Sequence, residues 1–441
     1  MLNRRLLCFA TCLVACLIPA VTTAEPKLTI LANQATGVYQ PGDEVVWTIE
    51  VKDGDKPVFG AATYSIRRGG LIEVTKGMTK PGAEAITITH QDKDAAQKTP
   101  GLILLDVKFK PEEGKEVKGV AAAVFAPEKI AASSPPPDDF DAFWKAKIAE
   151  LDAIPMNVKL EPVDIGDKKV EYYKVTMDNI KGKKIYGQLA KPVGGEKLPA
   201  VLTVQWAGVY PLNRGWVVDH AKQGRLAFNI IAHDLPIDES ADFYKEKAAK
   251  ELNDYPGIGN EDRETSYFLP MFLSCRRAVD FITQRPDWDG KHLLVQGGSQ
   301  GGYQAIVTAG IHPAVTAFAA NVPAGCDHTG KQAGRLPGWP NWASRVWQKK
   351  DEQKMLTTSR YFDAMNFATR AKCPGLIGLG LVDPVCPAEG IFATINQLQG
   401  PHEVVIMPAA DHGGDHKAYY AKFGPFLDKY LHDKQPKKDE S

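Results

Sequence analysis

The feature that most constrains this chain is a glycine-rich turn between a short apolar strand and a helix. Residues 297–302 read GGSQGG, after a strand predicted at 292–296 and at the start of a helix predicted at 300–309. Larger side chains two residues before and after Ser299 would clash with that strand and helix, and glycine at both positions removes the clash. The pattern predicts a nucleophile elbow, whose serine hydroxyl projects above a sheet beside the positive end of a helix.

A phosphate-binding loop is the alternative interpretation of such a turn. The turn lacks both the GxxxxGK[ST] and the GxGxxG spacing, so the sequence favours a nucleophilic serine. A serine hydroxyl is a weak nucleophile at neutral pH, and it needs a general base that is oriented by a carboxylate. The rest of the chain must therefore supply a histidine and an acid.

The alternation of strands and helices around the turn predicts the fold. Strands are expected at 170–177, 184–189, 200–205, 226–232, 315–320, 376–381 and 403–407, and helices at 140–151 and 266–283. Such alternation is typical of a doubly wound, mostly parallel sheet with helices on both faces. With the serine turn, it predicts an α/β-hydrolase fold.

Two later segments supply the acid and the base in the order Ser, Asp, His that this fold class uses. Asp383 follows the strand at 376–381, and His412 follows the strand at 403–407. Because the carboxyl ends of parallel strands meet at one edge of a sheet, both residues are expected beside Ser299. We therefore predict a catalytic triad of Ser299, Asp383 and His412.

Neighbouring residues offer alternatives to this triad. Asp411 is adjacent to the histidine and would point elsewhere than Asp383, and His416 lies four residues beyond His412. Asp411, His412, Asp415 and His416 could also bind a metal, but no third ligand group stands out. The sequence therefore predicts neither a metal site nor a cofactor.

The reaction also needs backbone donors for a negatively charged oxygen. One is expected to be the N–H of Gln300, directly after the serine. The second should come from the loop after the strand at 200–205, where we predict the N–H of Val209. His233 and Asp234 follow the next strand, and we interpret them as loop anchors.

An all-β region is predicted before the strand–helix alternation, over residues 25–130. Short alternating runs separated by turn residues indicate an immunoglobulin-like β-sandwich. It holds no nucleophile or ligand cluster, so its predicted role is spacing or packing, and a carbohydrate-binding role stays open. A proline-rich linker is predicted at 131–137, the hydrolase domain at 138–432 and a charged tail at 433–441.

The ends and the charge of the chain limit its location and partners. Residues 1–24 combine a basic start, an apolar run and small residues, which is typical of an export signal and short for a membrane span. A periplasmic or extracellular protein is expected, with lipid anchoring through Cys16 as an alternative. Lys plus Arg equals Asp plus Glu at 53 each, so the charge gives no reason to bind nucleic acid.

The cysteines and tryptophans leave two questions open. Cysteines after the signal are Cys275, Cys326, Cys373 and Cys386. Either all four are free, or some pair, with Cys373 and Cys386 as the first candidate because they are close in sequence. A segment at 325–350 carries Trp339, Trp342 and Trp347, which either pack that segment or overhang the site and stack on sugar rings.

The stretch from about Asp138 to Tyr430 resembles the acetyl xylan esterase and cephalosporin-C deacetylase family, carbohydrate esterase family 7. The resemblance is carried by DDFDAFW at 138–144, GGSQGG at 297–302 and GLVDPVCP at 380–387. It implies hydrolysis of acetyl esters on xylan or xylo-oligosaccharides, no cofactor, and homo-oligomeric assembly. It also implies the triad and the two oxyanion donors predicted above.

This chain departs from the family pattern at three places. The family's His-Gly in the oxyanion loop is Ala207-Gly208 here, and its Arg-Gly-Gln after the next strand is residues 233–235, HDL. Its final His-Glu is His412-Gly413. The triad is preserved, whereas these segments shape the pocket and the assembly of the family.

The sequence thus predicts a serine carboxylesterase that removes acetyl groups from acetylated carbohydrate through an acetyl-enzyme. A serine peptidase of the prolyl oligopeptidase type shares the elbow and the triad order, but only about a hundred residues precede the linker, too few for its propeller. A third hypothesis is a vestigial hydrolase that binds carbohydrate without turnover.

Overall fold

Alternating apolar and polar residues build two facing β-sheets in the N-terminal part of the chain. The computed structural model describes residues 25–91, 99–342 and 350–432, so the predicted signal and tail lie outside the described residues. The strands are β1 (Lys27–Ala32), β2 (Val38–Tyr39), β3 (Val45–Asp53), β4 (Lys56–Pro57), β5 (Gly60–Arg68), β6 (Ile72–Met78), β7 (Ile86–His90), β8 (Gly101–Pro111) and β9 (Val117–Phe125).

One sheet has the order β1-β3-β4 with β7 also paired to β3, and the other has the order β2-β9-β8-β5-β6. Strands β2, β4 and β6 were not predicted; β2 and β4 are two residues long, and β6 is largely exposed. Trp47, Ile66 and Phe109 lie in the shared core between the sheets. The immunoglobulin-like type of this β region stays a prediction.

The β region does not stand apart from the rest of the chain. In β8, Ile103 and Leu105 face the core between the two sheets, whereas Leu102 and Leu104 belong to the main core of the α/β part. Since successive side chains of a strand point to opposite faces, one strand contributes to both cores. The two regions are therefore joined by buried apolar surface.

The remaining strands form one nine-stranded sheet. They are β10 (Lys159–Pro162), β11 (Val170–Asp178), β12 (Lys184–Pro192), β13 (Leu198–Val204), β14 (Leu226–Ile230), β15 (Trp288–Gly298), β16 (Ala317–Asn321), β17 (Gly375–Gly380) and β18 (His402–Met407). The sheet order is β10-β11-β12-β14-β13-β15-β16-β17-β18. The pairs from β10 to β14 are antiparallel, and those from β14 through β13 to β18 are parallel.

Helices cover both faces of this sheet. They are α1 (Phe140–Asp152), α2 (Gly215–Lys222), α3 (Ala241–Ala249), α4 (Phe268–Thr283), α5 (Gln300–Ile311), α6 (Glu352–Phe362), α7 (Ala364–Ala368), α8 (Ala388–Ile395) and α9 (Lys417–Leu431), with short 3-10 turns at 127–129, 180–182, 255–257 and 330–333. Leu202 and Val295 point into the core shared with α4 and α5, while Val201 and Leu294 point toward α9. This is the two-sided burial that the continuous apolar runs predicted. No helix among the described residues is long and apolar enough to cross a bilayer.

Of the two alternatives that the sequence left open for the cysteines, the structure confirms the one without disulfides, and the Cys373–Cys386 candidate is wrong. Both cysteines are free, as are Cys275 and Cys326. Cys373 precedes the six-residue strand β17 and Cys386 follows its other end, and a strand of that length spans about 20 Å. A disulfide requires Cα atoms within about 7 Å of each other, so closeness in sequence misled the prediction.

The predicted linker is held against the segment at 325–350. The Ser133 N–H donates to Asp327 Oδ1 at 3.1 Å, and the hydroxyls of Ser134 and Thr329 lie 2.7 Å apart. Arg360 Nη2 donates to the Pro135 carbonyl at 2.8 Å. The linker thus contributes to the contact between the β region and the α/β part.

Candidate active site

The serine turn has the geometry of a nucleophile elbow. Ser299 lies between β15 and α5 with φ 54° and ψ −122°, and its N–H donates to the Asn321 carbonyl at 2.9 Å. A Cβ at Gly297 would come within 2.4 Å of Gly301, and one at Gly301 within 2.5 Å of the Val204 carbonyl oxygen. The two glycines therefore make the turn possible, as the sequence predicted.

The structure brings the three predicted side chains into one hydrogen-bonded chain. His412 Nε2 lies 3.0 Å from Ser299 Oγ, and His412 Nδ1 lies 2.8 Å from Asp383 Oδ2. Asp383 is 3% exposed, and its Oδ1 accepts the N–H groups of Val385 and Cys386, each at 2.8 Å. These amides fix the carboxylate, which in turn orients the imidazole toward the serine.

The alternative residues are engaged elsewhere. Asp411 Oδ1 accepts the N–H of Gly413 at 3.1 Å. His416 Nε2 donates to the Asp411 carbonyl at 3.0 Å, and His416 Nδ1 accepts from Asn321 Nδ2 at 3.0 Å. With both ring nitrogens bonded, His416 ties the loop that carries His412 to the end of β16.

The predicted oxyanion donors belong to two segments, the serine turn itself and the loop after β13. Gln300 is the first residue of α5, where a backbone N–H has no acceptor within the helix. Val209 lies in the loop after β13, where Gly208 has φ 118°. Gln205 Nε2 donates to the Tyr210 carbonyl at 3.0 Å, and the Tyr210 hydroxyl donates to the Trp206 carbonyl at 3.0 Å, so this loop is held by its own side chains.

His233 anchors the loop after β13 through the Gly208 carbonyl. Its Nε2 lies 2.9 Å from the Gly208 carbonyl oxygen, and its Nδ1 lies 2.8 Å from the Tyr267 hydroxyl. Because a carbonyl only accepts, Nε2 carries the proton and Nδ1 accepts from Tyr267. Burial lowers the pKa of His233 to about 4, so the ring is neutral near pH 7. Asp234 accepts the Lys184 N–H at 3.1 Å, which also agrees with an anchoring role.

One group of potential metal ligands coincides with the hydrogen-bonded chain. Ligand-type atoms of Asp383, Cys386 and His412 lie within 4.8 Å of one another. Burial raises the pKa of the Cys386 thiol well above its usual value, which keeps the sulfur protonated and a weak ligand. Asp383 and His412 are already bonded to each other, so these donors fit proton transfer better than a cation.

An open cavity of about 430 Å³ lies above Ser299 and His412. Trp206, Trp339 and Tyr420 contribute to its walls. Of the tryptophans predicted to pack or overhang the site, Trp339 borders the cavity, Trp342 is buried against other aromatic rings, and Trp347 lies outside the described residues.

The sequence analysis missed three residues of the site. Asn321 follows directly on the predicted strand at 315–320, and its place at the carboxyl end of a parallel strand was the available signal. Trp206 directly precedes the oxyanion loop. Tyr420 lies on α9, a helix that was not predicted.

Comparisons with known proteins identify relatives of this chain. Residues 128–429 match the acetyl xylan esterase (AXE1) family. The acetyl esterase Axe7A of Xylanibacter ruminicola is 35% identical over 292 residues, which cover 65% of this chain and 66% of that protein, so the chain spans slightly less than two thirds of that relative.

Two solved structures share the fold. One is an acetyl xylan esterase from Paenibacillus sp. R4, with TM-score 0.61 and 24% identity over 69% of this chain and 98% of that chain. The other is acetyl xylan esterase 1 from Thermoanaerobacterium sp. JW/SL YS485, with TM-score 0.58 and 19% identity over 69% of this chain and 96% of that chain. Together with the match over 128–429, the motifs and the sheet lead to one assignment: the chain belongs to the acetyl xylan esterase family, a family of carboxylic ester hydrolases with the α/β-hydrolase fold.

Proposed function

We propose that this chain is a serine esterase that removes acetyl groups from acetylated carbohydrate of the xylan or xylo-oligosaccharide type. The observation that carries the proposal is the hydrogen-bonded chain from Ser299 through His412 to Asp383, with contacts of 3.0 and 2.8 Å. The names of the related proteins, acetyl esterase and acetyl xylan esterase, support acetyl as the acyl group.

In the first half of the reaction, Ser299 Oγ attacks the acetyl carbonyl while its proton moves to His412 Nε2. Asp383 accepts from Nδ1 and stabilises the imidazolium that forms. The negative oxygen of the tetrahedral intermediate accepts the N–H groups of Gln300 and Val209. The proton on Nε2 then passes to the sugar oxygen, and the carbohydrate leaves with its hydroxyl restored.

In the second half, water attacks the acetyl group on Ser299. His412 takes a proton from the water and returns it to the serine oxygen, so acetate leaves and the site is restored. The oxyanion donors act again in the same geometry. Side chains of the protein perform every proton transfer in this scheme.

We further propose that residues 1–24 direct export to the periplasm or the exterior, with lipidation at Cys16 as the alternative, and that the β region is immunoglobulin-like. The basic start and apolar run of the first segment support export. The two facing sheets support the second assignment.

The test measures acetate release from acetylated xylan and from 4-nitrophenyl acetate by the protein and by its Ser299→Ala variant. We expect both substrates to be turned over and the variant to lose about 10⁴-fold or more in kcat. Ser274→Ala is a matched control, since Ser274 is a buried, hydrogen-bonded serine of α4 whose partners are Asn179 and Pro270.

Turnover of neither ester would reject the esterase proposal. Cleavage of a chromogenic peptide would then favour the peptidase hypothesis, and tight glycan binding without turnover would favour the vestigial hydrolase.

A further inference from the structure

A second chamber of about 250 Å³ lies beside the cavity that holds Ser299. Trp206, Gly298, Asn321 and Tyr420 line both spaces, so the two are neighbours across a shared wall. The second chamber extends over the ends of β13 and β15 toward α2 and α9. It contains none of the three side chains of the proposed triad.

Gly298 lies in the wall that the two cavities share, and an added side-chain carbon there would cause no steric clash. A Cβ at Gly298 would meet only the Asn321 carbonyl oxygen, at 3.8 Å, which is an ordinary contact. By contrast, Gly297 and Gly301 on either side of it would clash with the backbone at 2.4 and 2.5 Å. Because residue 298 has no side chain, the space between Ser299 and the second chamber stays open.

Aromatic rings form the walls of the second chamber. Trp206 is 48% exposed and Tyr420 is 61% exposed, although each is large enough to stabilise a core. Trp206 is fixed by an edge-on contact with Trp216, with ring centroids 4.8 Å apart, and by stacking on Tyr210 at 5.4 Å. Exposed aromatic rings clustered around a cavity are typical of a binding site rather than of a random surface.

Polar groups form the floor. Gln296 Nε2 donates to Thr203 Oγ1 at 3.0 Å and lies 2.9 Å from His220 Nε2. Asn321 is 5% exposed, and among the described residues its Oδ1 has no hydrogen-bond partner. The floor therefore carries amide and hydroxyl groups beneath aromatic walls.

Two parts of an ester substrate could occupy the second chamber, a sugar ring or the acyl chain. A sugar ring has C–H faces that stack on aromatic rings and hydroxyls that bond to amides. The acetyl group of the proposed substrate is short and is held at Ser299, whereas the second chamber contains none of the three triad side chains. The chamber is therefore left to the carbohydrate side of the ester rather than to the acyl side.

We propose that the second chamber binds a sugar ring of an acetylated oligosaccharide, next to the ring whose acetyl group reaches Ser299. The inference rests on the proposed function and adds to it the place where the neighbouring sugar ring is bound and the residues that bind it. Trp216 and Phe423, which line the second chamber alone, would then determine specificity without taking part in the reaction.

The test compares kcat/KM for acetylated xylotriose with kcat/KM for 4-nitrophenyl acetate in the protein and in Phe423→Ala and Trp216→Ala. We expect the ratio to fall roughly three- to tenfold in each variant through a higher KM for the oligosaccharide, as loss of one aromatic contact predicts. Tyr430→Ala is the matched control: Tyr430 lies on the same helix as Phe423 and is also partly buried against the same core, but it borders neither cavity. Its ratio should stay unchanged.

An unchanged ratio in both chamber variants of a protein that turns over both esters would overturn the inference and leave the esterase intact. A selective loss with 4-nitrophenyl hexanoate instead would assign the chamber to the acyl chain and also overturn it. Absence of acetate release from the intact protein is a different result, because it rejects the proposed function itself.

A binding measurement tests the sugar-binding inference if a variant fails to fold or if the intact protein is inactive. The Ser299→Ala protein is titrated with unacetylated xylotriose while tryptophan fluorescence is recorded. A saturable change supports the inference, since Trp206 and Trp216 line the chamber. No change up to millimolar xylotriose overturns it.

Discussion

The β region and the α/β part share buried surface but differ in where they gather polar side chains. In the nine-stranded sheet, Ser299, Asp383 and His412 come from three different loops and meet at one edge. In the β region, charged side chains pair locally across strands, as Arg67 does with Asp106 at 2.6 Å. Parallel strands place all their carboxyl ends at one edge, whereas antiparallel strands alternate in direction and divide their loops between two ends.

The β region nevertheless contacts the loops of the site. A Cβ on Gly37 would lie 2.6 Å from Leu381 Cδ1 and 3.5 Å from Pro408 Cβ, so the backbone approaches both loops closely. Leu381 lies two residues before Asp383. The Leu336 N–H donates to the Gly69 carbonyl at 2.6 Å, three residues before Trp339. The α/β part thus holds the proposed triad, and the β region contacts the loops beside it.

Beyond the loss expected for Ser299→Ala, the largest effect is expected at the anchor of the oxyanion loop. His233→Ala removes the donor to the Gly208 carbonyl, and a loop shifted by about 1 Å should lower kcat by about 10²-fold. His233→Gln retains a donor and should recover part of the loss. Steady-state kinetics on 4-nitrophenyl acetate checks both variants.

His312→Ala is the control for simple destabilisation. His312 is also buried, and it has two hydrogen-bond partners at 3.0 Å, Asp280 and the Ala314 N–H, at the far end of α5. The His312→Ala variant should have a lower free energy of unfolding and an unchanged kcat. If His312→Ala loses as much kcat as His233→Ala, the anchoring role is rejected.

The second prediction tests whether the β region supports the site. Gly69 and Gly54 both have φ 59°, but a Cβ on Gly69 would lie 2.2 Å from the Gly334 carbonyl oxygen, whereas one on Gly54 would meet nothing within 4 Å. Alanine at Gly54 should cost about 1 kcal/mol from the left-handed backbone alone. Alanine at Gly69 should cost about 2 kcal/mol more and raise KM, because the segment carrying Trp339 must shift.

Denaturant unfolding and steady-state kinetics give both quantities. Equal stability losses and equal KM values in the two variants would show that the β region does not influence the site.

The smallest expected effect is a pH dependence of the free energy of unfolding, caused by a carboxyl group at the contact between the two regions. Glu389 of α8 lies buried beside Gly101 of β8, with Arg335 Nε at 3.4 Å from its Oε1. Burial raises its pKa from 4.5 to about 7, and repulsion from Asp327 adds to this. The folded state therefore retains a proton that the unfolded chain releases, so stability falls as pH rises from about 4.5 to about 7 and then levels off.

In Glu389→Gln, the free energy of unfolding should fall by about 1–3 kcal/mol less between these two pH values than in the unchanged protein. Denaturant unfolding at several pH values measures this difference. Some slope remains in both proteins, because burial also raises the pKa of Asp363 to about 7. A slope that is identical with and without Glu389 would show that this carboxyl titrates normally.

The functional core could be predicted because its signals are local. The turn around Ser299 requires glycines at fixed offsets, and Asp383 and His412 each follow an apolar strand of a recognisable type. Strand alternation likewise predicted the long strands β3, β5 and β8. Signals of this kind depend on a few neighbouring residues, so a single sequence contains them.

The errors and omissions have a different origin. The sequence could not decide between free cysteines and a Cys373–Cys386 pair, because closeness along the chain does not show that β17 separates the two residues. Helices α2 and α9 were missed, and with them the aromatic rings of Trp216 and Tyr420. The side chains of the second chamber come from segments that lie far apart in the chain.

The sequence by itself determined the elbow, the order of the proposed triad and the parallel part of the sheet, because backbone sterics and apolar periodicity act over a few residues. Only the tertiary structure decided which rings stand beside Ser299, that β8 contributes to two cores, and that the predicted linker is bonded to the segment at 325–350. These features depend on packing between residues far apart in the chain, and such packing is set by the shape of the folded chain.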